Sequence, residues 1–390
     1  MILLLSEAKR NGFLLIKPLY YAILYETNFL KGYPMNERVN IQKIAQESGV
    51  SITTVSRVLN GTGPVSPKTR KRVEMAIEKY NYSPNALARG LISRQSMMLG
   101  IIVPDISNPY FSAMFNQVER AALNAGYSVI LCNTFFSSQS LQEKQHKTEE
   151  EYFQMMIAKQ VDGVLIIGGQ VDLCTVSEEY KEGLRRLSQI IPVVVMGKPL
   201  PDTGCLFIER ETGSGVVTAL NYLYTLGHRH IAFAGGEPGV VITETRLNAY
   251  KTALEALNLP YDESLVALTN YYTPDGYTAA EMLLGRKKRF TAVIAINDSV
   301  AIGFHRALTD QGLSVPEDVA LISCDQFFMA NYLTPRLTSI DQHSEMFGRM
   351  VIQVLLSAIK GIGEPVKMNI TPELIVRESC GTRLGYRNLD

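Results

Sequence analysis

Cysteine is scarce and scattered in this sequence. The 390 residues include five cysteines, which stand far apart and form no CxxC pair. Disulfide frameworks and structural zinc sites need cysteines at paired spacings, so this arrangement indicates neither. We expect ordinary buried apolar cysteines in a protein of a reducing compartment, the cytoplasm.

Long apolar runs are missing as well. The amino terminus, MILLLSEAKRNGFLLIKPLYYAILYETNFLKGYPM, is rich in apolar residues, but charged residues interrupt it. No stretch approaches the roughly 18–20 apolar residues of a membrane span, and no clear cleavage site follows. Met35 stands just before the first well-patterned helix. We therefore interpret residues 1–37 as a disordered extension or as sequence upstream of the true start, and we expect no membrane partner.

Catalytic signatures are also lacking. The chain has no GxxxxGK phosphate loop, no GxSxG elbow, no HExxH, and no GxGxxG after its first strand. His228 and His230 alternate in LGHRHIAF, but no third metal ligand stands nearby, which favours a structural role. We expect neither an enzyme nor a bound cofactor or metal.

The formal net charge is zero, yet the charges are segregated. Residues 38–96 contain ten basic and three acidic residues, a net charge of +7, so the rest of the chain carries −7. A basic segment attached to an acidic body is typical of a nucleic-acid-binding head, because attraction to phosphates supplies most non-specific affinity.

The basic segment has the pattern of three short helices. In NIQKIAQESG, apolar residues recur at helical spacing between Asn40, a candidate N-cap, and Gly49, a helix-ending residue. Ser51 begins a second helix after only a three-residue connection, and Ser66 with Pro67 begins a third. This is the spacing of a helix-turn-helix. The predicted core faces are Ile41, Ile44, Ala45, Val55, Val58, Leu59, Val73, Ala76, Ile77 and Tyr80.

A fourth helical segment, NYSPNALARGLISRQS, is conditional. It supplies about two turns, far fewer than the ~12–15 residues of a stable isolated helix. Gly90 within it costs about another 1 kcal/mol relative to alanine. We therefore expect this segment to be helical only when contacts from outside the segment stabilise it.

The order of these motifs resembles the lactose-repressor type (LacI/GalR) family of bacterial transcriptional regulators, and the resemblance continues over nearly all of the remaining chain. It implies a helix-turn-helix DNA-binding domain at 38–83 and a hinge helix with linker at 84–96. The family's docking geometry puts the second helix in the major groove, with Ile52, Thr53 and Arg57 at base edges. Its short polar residues are then suited to phosphates: Ser51, Thr54, Ser56 and Asn60. The resemblance also implies that the hinge helix lies in the minor groove, where Asn85 and Ala88 contact the DNA and Leu91 inserts as a wedge between two base pairs.

From Met98 onward, apolar runs alternate with helical patterns. The candidate strands are LGIIVPD, YSVILCN, VDGVLIIGG, IPVVVMGK, HIAFAGG, SLVALTN, TAVIAIND and VALISCD. Near-continuous apolar strands separated by helices predict parallel sheet covered on both faces, that is, a doubly wound α/β fold. Eight strands exceed one compact sheet, so we expect two lobes within residues 97–390. We assign about 97–197 with a returning segment near 327–356 to the first lobe, and about 198–326 with the C-terminal part to the second.

Ligands of such sheets bind beyond the carboxyl ends of the strands. The residues there combine arginine, aspartate and asparagine with aromatic rings, a set suited to a polyhydroxylated ligand. The body also resembles the periplasmic sugar-binding-protein fold, which the LacI/GalR family uses as its sensor. Together these observations indicate an effector site at Tyr110, Phe111, Arg246, Tyr272, Asn297 and Asp325. The chain departs from many sugar-responsive relatives in having Gln326 after Asp325, and Glu209 with Arg210 in place of a familiar Asp-Asn.

The resemblance implies a homodimeric repressor on a pseudo-palindromic operator, controlled by a small-molecule effector, a mono- or disaccharide, between the two sensor lobes. Two other readings remain open. One is a global regulator or activator whose body is engaged by a phosphorylated partner protein. The other, a sugar-binding transport protein, would share the body but not the basic head.

Overall fold

The computed structural model describes residues 39–82, 95–135, 148–362 and 370–381, which fall into two compact units, a head and a body. The predicted extension at 1–37 and the predicted hinge residues Asn85, Ala88 and Leu91 lie outside these ranges. Within the described residues, no helix combines the length and apolar character that a membrane span requires.

The head consists of three helices: α1 (Ile41–Ser48), α2 (Ile52–Asn60) and α3 (Pro67–Lys79). The predicted caps are confirmed, since the side chains of Asn40, Ser51 and Ser66 each accept from a backbone N–H in the first turn. Gly49, with φ of 62°, ends α1 in the left-handed region that glycine adopts without strain. The predicted small core is confirmed as well, and its buried members are Ile44, Ala45, Val55, Val58, Val73 and Ala76.

The first lobe of the body is built on a parallel sheet with strand order β2-β1-β3-β4-β5. Its strands are β1 (Met98–Val103), β2 (Ser128–Asn133), β3 (Gly163–Ile167), β4 (Val193–Met196) and β5 (Leu206–Ile208). Helices α4 (Pro109–Asn124), α5 (Glu149–Lys159) and α6 (Glu178–Ser188) follow β1, β2 and β3. Alternate strand residues enter two separate cores, one beneath α4 and the other beneath α5 and α6. This confirms a sheet covered on both faces.

The second lobe has strand order β11-β10-β9-β8-β6-β7, in which only the edge strand β11 is antiparallel to its neighbour. Its strands are β6 (Ile231–Ala234), β7 (Val266–Ala267), β8 (Ala292–Ala295), β9 (Ala320–Ser323), β10 (Thr338–Asp341) and β11 (Glu373–Ile375). Its helices are α7 (Gly213–Thr225), α8 (Val241–Ala256), α9 (Thr273–Leu284) and α10 (Asp298–Asp310). A last helix, α11 (Ser344–Ile359), returns to pack in the core of the first lobe.

The lobe boundaries differ from those expected. Residues 206–208 form β5 and pair with β4, so the first lobe extends past residue 197. Residues 327–341 belong to the second lobe, because Ala330 and Leu337 enter its core and β10 pairs with β9. Only α11 returns. Three charged residues follow β5, and three of the four residues of β10 are polar, so neither strand has the apolar run that identifies the predicted ones.

Three of the five cysteines are buried, as expected, whereas Cys205 is half-buried and Cys174 is exposed. All five are free thiols. His228 is buried beside Thr291, with its ring Nδ1 2.9 Å from the threonine hydroxyl. Burial lowers the pKa of His228 to about 4, so this histidine is neutral near pH 7.

Candidate functional site

The residues in and next to helix α2 of the head differ in exposure according to their predicted roles. Val55 and Val58 are buried, whereas Ser51, Ile52, Thr53 and Arg57 are exposed. Thr54 and Ser56 are half-buried, and the side chain of Asn60 lies outside what the structure describes. The predicted base-reading residues therefore lie on the solvent side of the helix.

Two of the exposed residues have distinctive settings. Ile52 is 45% exposed at the first position of α2, so an apolar side chain stands in water with no core to fill. The stem of Arg57 lies against Gly63, where a Cβ would be 3.5 Å from the arginine Cδ. Ser51 is already used as the cap, because its hydroxyl accepts from the N–H of Thr54 at 3.2 Å.

The body contains a cleft between its lobes with a volume of about 810 Å³. The cleft lies at the carboxyl ends of the strands, where the doubly wound fold predicts a ligand. The structure brings all six predicted effector residues into its lining: Tyr110, Phe111, Arg246, Tyr272, Asn297 and Asp325. Their contact with a ligand stays a prediction.

Arg246 and Asp325 form a buried ion pair in the wall of the cleft. Nη2 of Arg246 donates to Oδ1 of Asp325 at 2.7 Å, and Nη1 donates to Oδ2 at 3.3 Å and to the carbonyl of Ile296. Burial lowers the pKa of Arg246, but the charge of Asp325 and these bonds raise it overall, so the guanidinium stays charged. Its Nε has no acceptor within the described residues.

The side chain of Asn297 forms hydrogen bonds to two backbone groups of the protein. Its Oδ1 accepts from the N–H of Val300 at 2.9 Å, which caps α10, and its Nδ2 donates to the carbonyl of Tyr271 at 2.9 Å. An amide has two acceptor and two donor positions, so one of each remains for a ligand. Asn297 therefore first holds the end of β8 against the loop that contains Tyr271.

The aromatic wall contains a residue that was not predicted as a contact. The rings of Tyr110 and Phe111 stack edge to face with centroids 5.0 Å apart. Arg210 lies over the rings of Tyr110 and Phe347, donates to the Tyr110 hydroxyl at 3.3 Å, and donates to the carbonyl of Gln342 at 2.8 Å. Arg210 and Gln342 lie on two different connections between the lobes. Arg210 therefore holds these two connections together.

The lobes also bond to each other beside the cleft. The hydroxyl of Tyr272, in the second lobe, donates to Oδ2 of Asp105, in the first, at 2.7 Å. The N–H of Cys174 donates across the cleft to the carbonyl of Gly239 at 2.8 Å. Tyr272 is therefore an inter-lobe contact as well as a candidate ligand contact.

One loop of the first lobe is held by a buried acid. Oε1 of Glu149 accepts from the N–H of Gln170 at 2.8 Å, and Oε2 accepts from the hydroxyl of Tyr180 at 2.7 Å. A side chain at Gly169, whose φ is 91°, would collide with this carboxylate. Burial raises the pKa of Glu149 to about 7. The loop from Gly168 to Asp172 lines the cleft, so Glu149 positions part of the cleft wall.

We expect the Glu149→Gln variant to reduce the pH dependence of stability. The pKa of Glu149 is higher in the folded body than its ordinary 4.5, so the folded state binds a proton that the unfolded state releases. The contribution of this group to stability therefore falls as pH rises from about 4.5 to about 7, by roughly 2–3 kcal/mol. Urea unfolding at pH 5 and pH 8 should show a smaller decline in the variant. Glu178→Gln, at an exposed position on α6, should leave the decline unchanged; an unchanged decline in both variants would contradict this assignment.

Comparison with known proteins agrees with both units. Residues 40–85 match the family model described as bacterial regulatory proteins, lacI family, and residues 220–380 match a periplasmic binding protein-like domain. The chain is 34% identical over 345 residues to the HTH-type transcriptional repressor PurR of Haemophilus influenzae (strain PittEE), covering 87% of this chain and 98% of that protein. It is also 34% identical to catabolite control protein A of Staphylococcus xylosus, covering 81% and 91%.

A solved structure is similar as well. The transcriptional regulator CelR in complex with cellobiose is 29% identical, with a TM-score of 0.63, over 88% of this chain and 100% of that one. The matching family model, the coverage of the repressor relatives and the helix-turn-helix head lead to one conclusion. The chain belongs to the lacI family of bacterial regulatory proteins and is a transcriptional repressor with a DNA-binding head and a periplasmic-binding-protein-like body.

Proposed function

We propose that this repressor is a cytoplasmic homodimer that binds a pseudo-palindromic operator and is controlled by a sugar in the cleft. The sugar assignment rests on the lining of the cleft, which combines the buried Arg246–Asp325 pair of the second lobe with the rings of Tyr110 and Phe111 of the first. Planar charged groups bond adjacent hydroxyls, and an aromatic ring packs on the C–H face of a sugar. The similar regulator CelR was solved with cellobiose, which supports the same ligand class.

An exposed apolar patch on the second lobe supports the dimer. Phe328 is 74% exposed, and Met329 and Tyr332 beside it are also exposed. The rings of Phe328 and Tyr332 lie 4.8 Å apart, so the patch is continuous. Exposed contiguous aromatic surface is typical of protein interfaces. A homodimer in turn matches a two-fold symmetric operator.

Thermal-shift screening of a panel of neutral mono- and disaccharides, followed by operator binding, tests the proposed control. We expect at least one sugar to stabilise the protein and to change its operator affinity, because effector and operator each favour one arrangement of the lobes. Stabilisation without any change in operator affinity would contradict control by that sugar.

A second candidate is a global regulator whose body is engaged by a phosphorylated partner protein. The chain is similar to a protein named for the control of catabolism, catabolite control protein A, and this similarity supports the alternative of a global regulator. Operator binding that only a partner protein enhances, together with no response to any sugar, would select this alternative.

We expect Arg57→Ala in α2 to lower affinity for the selected operator roughly 10- to 100-fold. The reason is that an arginine forked onto a guanine edge contributes about 1–3 kcal/mol of discrimination. Binding to scrambled DNA should fall far less. Fluorescence anisotropy with both DNAs measures the difference, and Lys68→Ala on α3 is the control for loss of one positive charge. Equal losses on both DNAs would show that Arg57 contacts only phosphate.

A further inference from the structure

The first lobe contributes a carboxylate to the cleft that the sequence patterns do not single out. Asp172 ends a short 3₁₀ turn, Gln170–Asp172, that follows β3. Gly168 follows the same strand, and Gly197 follows β4. A Cβ at Gly168 would lie 3.1 Å from Oδ2 of Asp172, and a Cβ at Gly197 would lie 3.8 Å from Oδ1. Two strand ends thus carry no side chain, and the Asp172 carboxylate lies beside both.

Unlike the other carboxylates described above, Asp172 is not used by the protein. Asp325 is paired with Arg246, Asp105 accepts from Tyr272, and Glu149 holds the loop. Across the described residues, no N–H or O–H group donates to the Asp172 carboxylate. Burial raises the pKa of Asp172 to about 7, as expected for a carboxylate without a hydrogen-bond donor or a paired cation. A carboxylate with both oxygens free can accept from two donors of a ligand.

The Asp172 carboxylate lies near tyrosines of both lobes, because its charge contributes to the raised pKa values of Tyr110 and Tyr271. Burial is the main cause of the raised pKa values of Tyr110 and Tyr271, and the charge of Asp172 adds to both shifts. Tyr110 belongs to the first lobe and Tyr271 to the second. Asp172 therefore lies where a ligand between the lobes would pass close to it.

The charge balance of the cleft limits the ligand class. Carboxylates in its lining outnumber cationic side chains by six to three. Of the three cations, Arg246 is paired with Asp325, Arg210 is bonded to the lobe connections, and Lys198 is exposed. A phosphate or carboxylate on the ligand would add negative charge beside Asp172 with no unpaired buried cation to balance it.

We infer that Asp172 is a ligand-recognising residue that accepts hydrogen bonds from two adjacent hydroxyls of an uncharged polyhydroxylated ligand. This inference rests on the proposed sugar control and adds to it a named residue in the first lobe and a charge class. It places one recognition carboxylate in each lobe, Asp172 on one side of the cleft and Asp325, held by Arg246, on the other.

The test compares the full-length wild type with Asp172→Asn. The ligand panel is glucose, ribose, maltose and cellobiose, with glucose 6-phosphate and gluconate as anionic counterparts. Isothermal titration should show that the variant binds a wild-type sugar ligand roughly 10- to 100-fold more weakly, the usual loss for a hydrogen bond to a charged group. Asp202→Asn, an exposed first-lobe position whose positive φ asparagine tolerates, should bind like wild type.

Thermal unfolding without ligand separates recognition from folding. Unliganded Asp172→Asn should unfold at the same or a higher temperature than wild type, because the substitution removes a half-buried carboxylate to which no described group donates. Undiminished sugar binding by the variant would overturn the inference and leave sugar control standing. Tighter binding of glucose 6-phosphate or gluconate than of glucose would overturn the uncharged class. If no panel member binds the wild type, sugar control itself fails and the inference with it.

Discussion

Val55→Asp abolishes specific operator binding, with an expected loss of at least about a thousandfold. Val55 is fully buried among the six core residues of the head. A unit the size of residues 39–82 is stable by only roughly 2–7 kcal/mol. An aspartate at this position would have to be buried either as an unpaired carboxylate or in its protonated form. Either one costs a free energy comparable to the whole stability of the head. The head of the variant therefore unfolds, while the body remains folded.

Anisotropy with operator DNA and hydrogen exchange on the full chain measure both consequences. Amides of 41–79 should lose protection in Val55→Asp, whereas amides of the body should keep it. The matched control is Met75→Asp, which makes the same charge change at a residue of α3 that is 61% exposed. It should keep the head protected and lose at most a few-fold in affinity. Retained operator binding by Val55→Asp would mean that the described core does not hold the head together.

Arg246→Leu should destabilise the body by about 3–5 kcal/mol, because it leaves the Asp325 carboxylate in the wall of the cleft without its partner. The same variant should lose the response to sugar, since it removes the group that orients Asp325. Urea unfolding gives the stability change. Operator anisotropy with and without sugar gives the response.

Two controls separate the effects of Arg246. Arg306→Leu makes the same change in a pair with Asp310 where the arginine side chain is 69% exposed, and should cost less than about 1 kcal/mol. The double variant Arg246→Leu with Asp325→Leu removes both charges, so it should regain most of the stability but not the response. A sugar response in the double variant would exclude the pair from recognition.

Much of the body could be predicted from sequence because buried parallel strands have a simple pattern. All eight predicted strands are present, since strands covered on both faces must be apolar along their whole length. Strands β5 and β10 lack such a run, because three charged residues follow β5 and three of the four residues of β10 are polar. The lobe boundary was misplaced for this reason, as β5 and β10 determine where the chain crosses.

Part of the cleft was predictable because some of its residues come just after a predicted strand. Asn297 and Asp325 follow β8 and β9, and the strand-end rule identifies them. Arg210 lies on a connection between the lobes, where it seemed a departure from the family pattern. Asp172 comes after two glycines and a turn, and no aromatic or basic residue beside it in the sequence marks a ligand site. The contacts of Arg210 and Asp172 depend on how segments distant in the sequence pack together, and a local sequence pattern does not predict this packing.

The central claim is that a sugar in the cleft and operator DNA at the head are thermodynamically coupled. The most direct test measures the dissociation constant of the sugar with and without operator, and that of the operator with and without sugar. Linkage requires the two ratios to be equal, and we expect each to differ from one by at least about fivefold. Two ratios equal to one, with a sugar bound in the cleft, would contradict the account.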